Sequence, residues 1–260
     1  MAEAIAALDD QQAWVDLLVT RFKIEVAQDR QPALFRALDA YATSLNETAE
    51  SLLLRATRRQ LPQACWAQII HLATNHETRF YRNPPVIELI ASLAKEFPRP
   101  RILSVGCSTG EEPYSMAVEL CRQEFPNFHI HGTDVSEPCI ETAMAGLYKA
   151  NESIPDRYAP RIDGGRTMRF VSWLKDFVTF EQHNILGERP INFASPNIIV
   201  TQHMLIYYRA RTRSRILDTL SCLLADGGYL ITASAEEAQW KADGFERLNC
   251  LPATVFRKKP

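Results

Sequence analysis

Two adjacent carboxylates, Glu111 and Glu112, stand at the end of a glycine loop, in Ser104-Val-Gly-Cys-Ser-Thr-Gly-Glu-Glu-Pro-Tyr-Ser115. The apolar run Arg101-Ile-Leu-Ser-Val105 leads into Gly106-x-x-x-Gly110, and a helical pattern follows. A strand, a glycine loop and a helix in that order bring backbone close to a nucleoside-type ligand. A dinucleotide site would read G-x-G-x-x-G and seat its pyrophosphate on the helix N-terminus. Here Ser108 replaces the middle glycine and the third is missing. Two carboxylates in the first helical turn repel a phosphate and tolerate a cation. S-adenosylmethionine has a sulfonium, an α-amino group and no phosphate, so its charge suits this loop. The alternative is structural, because Ser108-x-x-Glu111 and Thr109-x-x-Glu112 both read as capping boxes. The expected division puts Glu112 on the ligand and Glu111 on the Ser108 cap. Asp134 closes the next strand, in His131-Gly-Thr-Asp134, where an acid commonly accepts ribose hydroxyls.

These side chains need elements to hold them. The 260-residue chain is 46% hydrophobic and 23% charged, which suffices for a buried core. Its net charge of −2 gives no basic face for nucleic acid. No signal peptide or membrane-length apolar run is legible, so a cytoplasmic protein without membrane insertion is expected. Six scattered cysteines without a C-x-x-C pair read as reduced packing residues. His129 and His131 share one strand face without a visible third ligand, so no metal is expected. Residues 1–98 show helical spacing (Trp14, Leu17, Leu18, Phe22; Leu34, Leu38, Tyr41, Leu45) and contain no glycine. Phe97-Pro98-Arg99-Pro100 marks the expected boundary. From 99 to 260, short apolar strands alternate with helices, as in a parallel sheet covered on both faces. Arg169 to Phe180 breaks that rhythm and reads as a β-hairpin, part of an inserted subdomain at about 150–182.

At this point the residues resemble a known family, the CheR-type chemoreceptor glutamate methyltransferases. Ser108-Thr-Gly-Glu-Glu-Pro-Tyr-Ser115 is similar to its signature, and Asn75-His-Glu-Thr-Arg-Phe-Tyr-Arg82 to its N-x-T-x-F-F-R segment. Gly132-Thr-Asp134 with Ala143-x-x-Gly146-x-Tyr148 resembles its ribose strand and following helix. Asn197-Ile-Ile-Val-Thr-Gln-His-Met-Leu-Ile-Tyr-Tyr208 is similar to its D-L-I-F-C-R-N-V-x-I-Y-F stretch, and Leu223 to Ala233 to L-x-P-G-G-x-L. The likeness spans about residues 70 to 235.

The resemblance implies a Rossmann-like class I S-adenosylmethionine-dependent methyltransferase, an α/β domain with a small inserted β-subdomain behind an all-α N-terminal domain. It implies γ-methyl ester formation on glutamates of a chemoreceptor's cytoplasmic domain, with S-adenosylhomocysteine as product. The cofactor would be held by His76, Thr78, Arg82, Gly106, Glu111, Glu112, Asp134, Asn184, Ile185, Gln202 and His203. Arg82 and Tyr207 would flank the methyl-transfer centre, and a monomer is expected. Where the family reads C-R-N this chain reads Thr201-Gln-His203, which points to a divergent branch such as the pilus-chemosensory one. That departure also leaves room for an alternative, a non-catalytic S-adenosylmethionine-binding sensor or scaffold. Arg55, Arg58 and Arg59 are the nearest analogue of a basic receptor-docking face, although such charge runs are more often a solvated helix face, the reading preferred for them.

Overall fold

A computed structural model describes every residue except Met1, Ala235, Ala238, Gln239, Ala242, Leu251 and Pro260; the side chains of residues 2–9, 249 and 250 also lie outside it. The chain forms two compact units, residues 1–75 with 136–138, and residues 76–135 with 139–260.

The first unit holds α1 (Ala2–Phe22), α2 (Gln31–Ser44), α3 (Ala49–Thr57) and α4 (Gln63–Ala73). Leu34, Leu38 and Ala42 on α2 are buried, as are Leu52, Leu53 and Ala56 on α3 and Trp66, Ile69 and Ile70 on α4. These spacings put one apolar stripe of each helix inward. Thr48 caps α3 by accepting the Ser51 N–H at 3.1 Å.

The second unit begins with α5 (Pro84–Ala94), followed by β1 (Arg101–Val105), α6 (Glu111–Arg122), β2 (His129–Asp134) and α7 (Glu137–Ala145). Next come β3 (Leu147–Lys149), β4 (Arg161–Ile162), β5 (Thr167–Arg169), α8 (Ser172–Lys175) and β6 (Val178–Gln182). The chain ends with β7 (Ile198–Thr201), α9 (Ala210–Leu223), β8 (Tyr229–Ala233), β9 (Phe245–Cys250) and β10 (Ala253–Lys258). Seven strands form one sheet in the order β6-β2-β1-β7-β8-β10-β9. The first five of these run parallel, and β10 is antiparallel to β8 and β9. Successive residues of a strand face opposite sides, so a sheet covered on both faces needs nearly continuous apolar strands. Accordingly, Ile102 packs into one core with Ile90, Met116 and Val118, while Leu103 packs into another with Ile216, Leu217 and Leu220. The order reverses between β1 and β7, and the loops leaving those two strands form the switch-point crevice.

The compact division falls earlier than the prolines at 98 and 100 suggest. Val86, Ile87, Ile90, Ala91 and Ala94 of α5 are buried in the core of the second unit, so those prolines terminate a helix there. The expected hairpin at 169–180 is not formed. β5 joins β3 and β4 in a small three-stranded sheet, and β6 instead pairs in parallel with β2, Ile130 against Val178. The short helix α8 stands between β5 and β6, with Leu174 buried in the same core as Phe170 and Val178, so no tight turn joins the two strands. The inserted β-subdomain therefore runs from Leu147 to Arg169, and the strand after it belongs to the main sheet.

Candidate functional site

The loop after β1 is shaped by its two glycines. Gly106 has φ 76°, and a Cβ there would sit 2.8 Å from Met204 Sδ. Gly110 has φ 94°, and its Cβ would come within 2.7 Å of that of Ala143. The loop is pinned across the sheet: the N–H groups of Gly106 and Cys107 donate to Thr133 O at 2.8 and 3.0 Å. The Ser108 N–H donates to Asp134 Oδ2 at 2.8 Å, so the strand-end acid and the loop backbone form one unit. The Tyr148 hydroxyl donates to Thr109 O at 2.6 Å and closes the other side.

Neither expected capping box forms. Gly110, in the left-handed region, precedes Glu111 without a side-chain cap. Ser108 Oγ donates away from the helix, to His76 O at 3.1 Å, and Glu111 accepts from Thr109 Oγ1 at 2.6 Å. Both glutamates are thus released from capping by the glycine. Glu112 points into the sheet, where Ser104 Oγ donates to its Oε1 at 2.7 Å and Gln202 Nε2 to its Oε2 at 2.9 Å. Burial pushes both carboxyls above the ordinary range. For Glu112 the hydrogen bonds from Ser104 and Gln202 and the nearby Arg82 charge oppose that rise.

The remaining residues arrive on three further segments. Arg82 follows the irregular stretch that carries His76 and half-buried Thr78. Its guanidinium donates to Glu77 O at 2.7 Å, and its charge bears on both Glu112 and His203. His76 Nδ1 lies 3.1 Å from buried Cys139 Sγ. Asn184 and buried Ile185 sit in the turn after β6, held to the second strand by the His183 N–H donating to Asp134 O at 2.8 Å. There Asn184 Oδ1 accepts the Leu186 N–H at 3.0 Å. Gln202 and His203 leave β7, and Tyr207 ends the 3-10 turn Leu205–Tyr207. Gln202 Oε1 is buried without a partner among the described residues. Tyr81, Ser108 and His203 all have positive φ (49°, 50° and 59°), which concentrates backbone strain on three segments of this crevice.

Sequence reasoning missed Ser104, Met204, Tyr148 and Glu236. A serine inside the apolar run Ile102-Leu-Ser-Val105 and an acid three residues past β8 were visible signals for two of them. Of the two strand histidines, both rings lie within hydrogen-bond reach of Thr179 Oγ1, at 2.8 and 2.9 Å, and both stack on Phe193.

The donor set fits S-adenosylmethionine. Carboxylates stand at the glycine loop, and the Gln202 oxygen, orphaned among the described residues, is an acceptor for an amino group. Residues 76–253 match the family model described as CheR methyltransferase, SAM binding domain. The chain is similar to the chemotaxis protein methyltransferase of Vibrio parahaemolyticus, 27% identical over 203 residues, covering 72% of this chain and 74% of that one. It is 26% identical over 229 residues to that of Campylobacter jejuni, covering 84% and 79%. It is 30% identical over 203 residues to the "Probable biofilm formation methyltransferase WspC" of Pseudomonas aeruginosa, covering 70% of this chain and 46% of the relative.

Proposed function

Because the chain belongs to the CheR methyltransferase family, we propose that it methylates glutamate side chains on the cytoplasmic helices of a chemoreceptor, forming γ-glutamyl methyl esters. Bound S-adenosylmethionine supplies an electrophilic methyl group on a sulfonium. The observation that carries the reading is the convergence of Glu111, Glu112 and Asp134 on the Gly106–Gly110 loop, an acidic surround for a cationic nucleoside. In this reading Asp134 and the Asn184–Ile185 turn hold the nucleoside. Glu111 and Glu112 face the cationic part, and His76, Thr78, Gln202 and His203 complete the walls.

A glutamate carboxylate has an unperturbed pKa of about 4.3, so the nucleophile is ionised at neutral pH and needs no general base. The protein's work is alignment and exclusion of water, worth up to about 7–11 kcal/mol when geometry is good. Arg82 draws the incoming carboxylate in, and the Tyr207 hydroxyl donates to one of its oxygens.

The test is incubation of the full chain with methyl-labelled S-adenosylmethionine and purified cytoplasmic receptor fragments. Label that is removed by mild base and maps to glutamate supports the reading. Cofactor binding by calorimetry without any transfer selects the non-catalytic sensor instead, the reading favoured by Gln202-His203 alone.

A further inference from the structure

Glu236 lies three residues past the end of β8 and is 2% exposed, although no part of the reaction described above uses it. Its Oε2 accepts the His203 N–H at 3.1 Å and the Ala233 N–H at 3.3 Å. One carboxylate therefore ties the end of β8 to the start of the loop that carries Gln202, His203 and the Tyr207 turn. His203 needs that tie. It has φ 59°, a left-handed region that is strained for a residue with a Cβ and persists only when surroundings impose it. Buried carboxylates are expensive, so one kept with its second oxygen unpartnered among the described residues points to a positional duty.

We propose that Glu236 is a positioning residue of the methyl-transfer centre, fixing the start of the 202–207 loop by accepting the His203 N–H. This rests on the reading of that loop as part of the cofactor and substrate site. Fixing His203 aims the Gln202 side chain at Glu112 and sets where the chain enters the turn that ends in Tyr207. Among the described residues, Glu112 on α6 bears on the Glu236 carboxyl by its charge, and Arg213 on α9 lies beside its backbone. Arg213 donates to the backbone oxygen of Glu236, not to its carboxyl. Burial, with the Glu112 charge adding to it, pushes the Glu236 carboxyl up to about 7. The bonded backbone donors pull the other way, so the loop tightens as Glu236 ionises.

The test compares Glu236→Gln, Glu236→Ala and His203→Gly with the double variant Glu236→Ala/His203→Gly in the full chain. Amide hydrogen exchange at residues 202–207 and S-adenosylhomocysteine affinity are read beside the transfer rate. Glu236→Ala is expected to speed exchange at His203 and to lower kcat by on the order of 10- to 100-fold, the scale of a misplacement near 1 Å. Gln keeps an acceptor oxygen, so Glu236→Gln should restore most of kcat and abolish any limb of the pH–rate profile near pH 7. Glycine at 203 relieves the left-handed strain, so the Glu236→Ala loss should shrink in the His203→Gly background. Unchanged exchange at 203 in Glu236→Ala overturns the proposal, as does a Gln variant as poor as the Ala one. Should the wild type transfer no methyl at all, the methylation reading fails, while the exchange and affinity arms still decide the role of Glu236.

Discussion

Glu112 changes meaning between sequence and structure. In the sequence it is the expected ligand contact, with the Thr109 capping box as the alternative; in the fold Gly110 takes over the helix start, and Glu112 turns inward to Ser104 and Gln202. The chemistry at that position was legible because two acids beside a glycine loop exclude phosphate. Its partner Gln202 lies 90 residues away, and no local pattern could join them. Both loop glutamates and Glu236 have carboxyls raised by burial, which fixes the sign of two pH effects. An acid whose folded pKa is raised stabilises the fold fully below its unfolded value and loses that contribution as pH rises through the folded value. Without cofactor, thermal stability should therefore fall between about pH 4.5 and 7, with Glu236 setting the upper end, and Glu236→Gln should flatten that slope. Cofactor affinity should move oppositely, because a sulfonium and an ammonium favour ionised Glu111 and Glu112. Calorimetry should show weaker binding at pH 5 than at pH 8, with protons released on binding; affinity that is flat with pH would detach these glutamates from the ligand. Tyr207 gives a sharper division. Tyr207→Phe removes one hydroxyl and no packing volume of consequence, so S-adenosylhomocysteine affinity should hold while kcat falls. A charge-assisted hydrogen bond is worth about 1.5–3 kcal/mol, or roughly 10- to 150-fold in rate. Equal loss of both would remove Tyr207 from the transfer step.

Among the elements, β1 and β7 were legible because each is a buried, mostly apolar run, while α6 and β2 were placed by the glycine loop that opens the one and the strand-end Asp134 that closes the other. β6 was not. Its residues alternate like a hairpin arm, and only the open edge of β2 decides where they go. The strand sits last in the parallel half of the sheet, and the turn beyond it carries Asn184, so that misreading displaced the insert but not the candidate ligand residue. The loop between β1 and α6 is the element whose geometry is least tolerant. Gly106→Ala would place a Cβ 2.8 Å from Met204 Sδ and force a left-handed alanine. The backbone strain alone costs on the order of 1–3 kcal/mol. A drop of that size in the unfolding free energy from denaturant melts, together with at least tenfold weaker cofactor binding, is expected. If stability drops and affinity does not, the loop is a structural corner and the ligand lies elsewhere.

At the scale of the molecule, the two compact units divide the candidate chemistry unequally. His76, Thr78, Arg82, the glycine loop, Asp134, Asn184, Gln202, His203 and Tyr207 all fall in the second unit, which also owns α5 and its own two-faced core. Helical periodicity alone could not assign α5, because an amphipathic stripe shows that a helix is buried and not what buries it. The boundary is therefore open to direct comparison between two fragments. Residues 76–260 keep α5 and every candidate side chain, so this fragment should melt cooperatively and bind S-adenosylhomocysteine with affinity close to that of the full chain. Residues 99–260 lose Val86, Ile87 and Ile90 from the core, three fully or nearly fully buried side chains worth about 1.5–3 kcal/mol each. A typical domain's entire stability is about 5–15 kcal/mol, so that deficit, with Arg82 also gone, should leave the shorter fragment unfolded and unable to bind. Circular dichroism melts and calorimetry on the pair decide the matter. A folded, binding-competent 99–260 would return α5 to the helical N-terminal region and restore the proline stretch as the true domain border.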